Sequence, residues 1–94
     1  MADDRVEEIA ALLEQIGQAH GQYEATELHG VYDQAWARWY AGHAVEQGIS
    51  ALIGHAVTVD QLAQFLAAAF ADYKRDGVTE PWAIYTARRI QNEL

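Results

Sequence analysis

The sequence predicts an all-α fold, a compact four-helix domain built from two helical hairpins. Three observations predict it. Apolar residues recur at spacings of three and four along most of the chain, the period of one helix face. Thr58 and Gln61 have the spacing of a capping box, and glycines or the single proline punctuate the gaps between periodic runs. No segment alternates apolar and polar residues for long enough to make a strand.

The elements follow in order. Val6, Ile9, Leu13, Ile16 and His20 form one stripe and predict a first helix over 4–28. Asp3, Asp4, Glu7 and Glu8 crowd its start, where acids favour the helix dipole. Gly21 weakens a helix interior by about 1 kcal/mol against Ala. The spacing nonetheless carries on through Tyr23, Glu24 and Glu27, so the helix is expected to run past it. Gly30 then serves as a left-handed stop. A second helix is expected over 32–47, with Trp36, Trp39, Tyr40, His43 and Gln47 on one face and Gly48-Ile49 ending it. Residues 49–57 read as a buried connector with room for one short helical turn. Thr58 opens a third helix over 58–76, whose broad apolar face runs from Val59 through Leu62, Phe65, Leu66, Ala69 and Phe70 to Tyr73. Lys74-Arg75 and Gly77 suit its end. Thr79 is expected to cap a fourth helix over 80–93, with Pro81 in its first turn.

Composition narrows the function classes. The 94 residues suit one small domain, 1–94, and 51% of them are hydrophobic, enough for a packed core. Fourteen acids against six bases give a net charge of −8, which disfavours nucleic acid and anionic membrane surfaces. The acidity is local: residues 1–33 hold eight acids against Arg5 alone, whereas residues 61–94 are balanced. There is no cysteine, hence no disulfide framework, thiolate metal site or cysteine nucleophile. The first residues lack the basic and apolar regions of a secretory signal, and no apolar run is long enough to span a bilayer. A soluble cytoplasmic protein is the expectation.

The segment from His20 to His43 carries the chemistry. It holds three of the four histidines, two of the three tryptophans and three of the five tyrosines, with three acids and one base. On a helical wheel with His20 at zero, Leu13, Ile9 and Ile16 lie within about 40° of it, and so do Glu24 and Glu27. Tyr23 lies about 60° away. The apolar stripe of the first helix thus turns polar at its end. Across a hairpin at Gly30, Tyr32, Trp36, Trp39, Tyr40 and His43 would face it. His20, Tyr23, Glu24, Glu27, Tyr32, Trp36, Trp39, Tyr40 and His43 are therefore the candidate ligand-binding residues, with His20, Glu24 and Glu27 expected to point inward toward Trp36, Tyr40 and His43.

Four readings fit these residues. Aromatic rings packed in a core, each with one hydrogen bond to a Glu or His, is the plainest. A pocket for a cationic small molecule, or for the Lys or Arg of a basic peptide, uses the same rings and carboxylates. Metal binding has the pairs His20/Glu24 and His43/Glu46, but neither the repeated Glu-x-x-His of di-iron bundles nor HExxH is present, so no metal or cofactor is expected. Acid–base catalysis has His20 with Glu24 or Glu27, and His43, but no nucleophile: Ser50, the single serine, has no elbow motif. An enzyme is the lesser expectation. His55, Lys74-Arg75 and Arg88-Arg89 read as surface or helix-end groups, and the Gly17/Gly21 spacing has little specificity.

The runs His20-Gly-Gln-Tyr23-Glu24, Gly30-Val-Tyr32-Asp33 and Trp36-Ala-Arg-Trp39-Tyr40-Ala41 resemble a small bacterial helical family sharing a HxxYE…GxYDxxWxxWYA pattern. Its members continue with a Leu/Phe-rich helix like Thr58–Tyr73 and a short Trp-led helix like Trp82–Ile90. The resemblance implies a single all-helical domain and implies no activity. The expectation is therefore a small helical binding or interaction module, homodimeric because its ten aromatics exceed what so small a domain readily buries. The alternative is a small-molecule pocket protein or small enzyme with its site between the first two helices.

Overall fold

The computed structural model describes residues 2–30 and 35–94. Among them are five helices and no strand: α1 Ala2–Thr26, α2 Trp36–Glu46, α3 Ile49–Ile53, α4 Val59–Arg75 and α5 Trp82–Glu93. The all-α class is as expected, and α3 is the short turn foreseen in the connector. The expected start of the second helix, over 32–34, lies outside the described residues, while Ala35 is its non-helical N-cap.

Each boundary has a local cause. α1 is continuous through Gly21, as the spacing required. It ends sooner than residue 28: Leu28 N–H turns back to the Tyr23 carbonyl, Gly30 N–H to that of Glu24, and His29 and Gly30 both take positive φ. At the start of α4 the Thr58 hydroxyl accepts from Gln61 N–H while the Gln61 side chain accepts from Thr58 N–H, the reciprocal capping box. Its far end closes with Val78 N–H on the Tyr73 carbonyl and Gly77 N–H on that of Lys74, with Gly77 at φ 63°. That is the Schellman arrangement, which needs a left-handed residue at 77.

The start of α5 corrects the sequence reading. Thr79 is not its cap. Pro81 is the N-cap, at φ −56° and ψ 139°, and no side chain caps the helix. Proline disfavours the helical region for the residue before it, so the helix cannot begin at Glu80.

The stripe on α1 becomes the core. Ile9, Leu13 and Ile16 are essentially inaccessible and meet Ala41 and Ala44 of α2, Leu62 and Leu66 of α4, and Ala87 and Ile90 of α5 in one cluster. α1 packs chiefly on α5 and α2 chiefly on α4, with α1·α2 and α4·α5 contacts closing the bundle. Small residues on α2 and α5 let the larger aliphatic side chains fill the space between helices. Polar ties fasten the ends. Arg5 donates to the carbonyls of Ala51 (3.1 Å) and Leu52 (2.7 Å) at the end of α3. Val57 N–H donates to Ser50 Oγ, giving that serine a structural partner. His55 bonds the carbonyls of Ala56 and Leu94. Arg89 is no mere surface charge. It bridges Asp72 and Glu93, donates to the Tyr85 hydroxyl and lies over the Phe65 ring. Among the described residues no helix is long and apolar enough to cross a membrane.

Candidate functional site

Where the core stripe of α1 ends, aromatic side chains take over. His20 is 7% exposed, the polar end of the stripe that begins with Ile9. Its ring meets Trp39 at 4.9 Å, Tyr40 at 5.2 Å and Tyr23 at 6.1 Å between centroids. Glu24, one turn on, brings a carboxylate oxygen to 3.8 Å from His20 Nδ1 and stays partly accessible. Glu27, expected to point inward, is exposed. The cause is the helix end at Thr26: a residue beyond it no longer follows the wheel that put it on the stripe.

The aromatic face of α2 divides into two rows. Trp36 and Tyr40, four apart, turn toward α4 and α5. Trp39 and His43, also four apart, stack on each other at 3.9 Å on the side of Tyr23. His43 therefore belongs to the Trp39 row and is not among the rings around His20. Tyr32 lies outside the described residues.

The first row completes a cleft. Trp36 meets Phe70 of α4 at 5.2 Å and Trp82 of α5 at 6.2 Å, and Tyr40 meets Trp82 at 5.7 Å. His20, Trp36, Tyr40, Phe70 and Trp82, from four helices, line an open cavity of about 170 Å³. Phe70 and Trp82 were absent from the candidates found in the sequence. Phe70 sits at the end of the apolar face of α4, and Trp82 to one side of the α5 stripe. Nothing in either local pattern says that both ends meet α2.

Close approach of α1 and α2 fixes the cleft wall. The Tyr40 hydroxyl lies over Gly17, where an added Cβ would stand 3.1 Å from it. Burial pushes the Tyr40 phenol up from its ordinary value, and the nearby Glu24 charge adds to the effect. The Trp82 indole N–H is buried and has no hydrogen-bond acceptor among the described residues. Its ring stands nearly perpendicular to those of Trp36 and Tyr40. Lys74 lies over the Phe70 ring at 5.2 Å and is not part of the cleft lining.

Among the described residues no three His, Asp or Glu side chains gather to hold a metal ion. The chemistry the cleft offers is of another kind: π faces, one imidazole, one phenol and a carboxylate at its edge. Compared with protein families, curated proteins and solved structures, the chain matches none.

Proposed function

We propose that this chain is a small helical binding module whose ligand site is the aromatic cleft between α1, α2, α4 and α5. The observation that carries the reading is the open space itself. Rings serving only as core would close on one another at the packing density of a protein interior. Here five side chains from four helices surround about 170 Å³ open to solvent. Small-molecule sites share this make-up, concave and mostly apolar with a few converging polar groups. The ring faces, with Glu24 beside His20 and Tyr40, favour a cationic small molecule or the basic side chain of a peptide.

The expected homodimer rested on surplus aromatic surface. The accessible surface of 5695 Å² is close to the ~5,400 Å² that scaling gives a monomer of this mass. Every described aromatic ring nonetheless stays partly accessible, so the aromatic surface that a second copy was expected to cover is present, and the binding reading does not depend on that copy. The test is a screen of small amines and basic peptides by ¹H–¹⁵N correlation spectroscopy, reading the three indole N–H signals. A binder that moves Trp36 and Trp82 more than Trp39 supports the reading. A screen in which no compound moves Trp36 or Trp82 overturns it.

A further inference from the structure

We infer that the cleft selects a free quaternary ammonium compound, a permanent cation without N–H groups, over primary amines and over neutral molecules of the same shape. This rests on the cleft being a ligand site. The ring geometry comes first. Trp36 and Tyr40 stand at 90°, Trp36 and Phe70 at 75°, Trp36 and Trp82 at 76°, and Tyr40 and Trp82 at 81°. Stacked rings would cover each other's faces. In an edge-to-face pair the edge of one ring meets one face of the other, so each contact covers one face where a stack covers two. The face is the negative side of an aromatic quadrupole, and several faces around one space attract a cation.

Size and charge agree. An apolar cavity of about 150 Å³ holds a benzene-sized guest, and the 170 Å³ here suits a trimethylammonium group. Among the described residues no Lys or Arg lines the cleft, and the Glu24 carboxylate lies beside both His20 and Tyr40. The chain as a whole carries −8, which draws cations in.

Hydrogen bonding decides the class of cation. A primary ammonium carries three N–H donors that need acceptors once water is removed. Among the described lining residues only His20 and Tyr40 carry possible side-chain acceptors, and the Trp82 indole N–H is buried. A quaternary ammonium asks for none, so it gives up its loosely held water and keeps the full attraction of the rings. The small lining of five side chains points to a free compound, with a methylated lysine in a peptide as the alternative source.

The experiment titrates the whole protein with choline, ethanolamine and 3,3-dimethyl-1-butanol, the neutral carbon analogue of choline, and with a trimethyl-lysine peptide. The readouts are calorimetry and the indole N–H signals. Choline is expected to bind at least about tenfold more tightly than either small control. Glu24→Gln is expected to weaken choline several-fold and leave the neutral analogue unchanged. Trp36→Ala is expected to abolish binding and Trp36→Phe to retain part of it, with circular dichroism confirming that each variant folds. Equal affinity for the neutral analogue or for ethanolamine overturns the inference and leaves the cleft a ligand site. Binding of the peptide without choline overturns the free-compound assignment. Silence of Trp36 and Trp82 toward all four overturns the inference and the binding reading together.

Discussion

Two glycines one turn apart on α1 give opposite answers to the same substitution. Gly21 lies inside the helix, is exposed, and an added Cβ there meets nothing within 4 Å. Gly21→Ala gains the helix propensity of Ala, about 1 kcal/mol, partly by restricting the unfolded chain. For a domain of this size that corresponds to about 4–8 °C in Tm. Gly17→Ala gains the same propensity, but its methyl stands 3.1 Å from the Tyr40 hydroxyl, closer than ordinary contact. Tyr40 must then shift by a few tenths of an ångström against Trp36, Trp82 and His20. Overpacking of this kind typically costs 1–3 kcal/mol, so the net effect is expected near zero or destabilising. Thermal and urea unfolding of the two variants reads the difference. A double-mutant cycle isolates its cause: in a Tyr40→Phe background the hydroxyl is gone, and Gly17→Ala should recover the gain seen at Gly21. Equal stabilisation by both single variants would refute the close approach of α1 and α2 at this point. Destabilisation by Gly21→Ala would refute a continuous α1.

Three further outcomes follow from the same geometry. Thr86 is fully buried in α5, and its hydroxyl has no hydrogen-bond partner among the described residues, so Thr86→Val, close in shape, is expected to raise stability by about 1 kcal/mol in urea unfolding. Hydrogen bonds from Arg89 hold the Asp72 and Glu93 carboxyls below their ordinary values, and Arg88 does the same for Glu80. The folded state thus binds these protons less readily than the unfolded chain; the stability they add is present above the unfolded carboxylate range of about 4 and is lost as pH falls below it. Arg89→Met should flatten that acid limb in Tm measured against pH, and an unchanged limb would rule the network out. Because burial and then Glu24 raise the Tyr40 phenol, its ultraviolet titration should lie above the ordinary tyrosine value of about 10 and move back part of the way in Glu24→Gln.

The fold was largely legible because its signals are local. Thr58 and Gln61 state the start of α4, Gly77 its end, and the spacing of Ile9, Leu13, Ile16 and His20 carries α1 through Gly21. Errors fall where one local rule yields to another. Pro81 outweighs Thr79 at the start of α5, and the early end of α1 frees Glu27 from the stripe. The candidate site was legible by half. Periodicity tells which face of a helix a residue occupies, so His20, Trp36 and Tyr40 could be grouped. It does not tell which helix that face meets. Phe70 and Trp82 join the cleft through contacts of long sequence separation, and the division of α2 into a Trp36–Tyr40 row and a Trp39–His43 row appears only once α4 and α5 are in place.

The claim that the cleft receives a free quaternary ammonium compound is tested most directly by nuclear Overhauser contacts between the methyl protons of added choline and the aromatic protons of the protein. Cross-peaks to the rings of Trp36, Phe70 and Trp82 are expected. Cross-peaks confined to Trp39 and His43, or none at saturating choline, would contradict it.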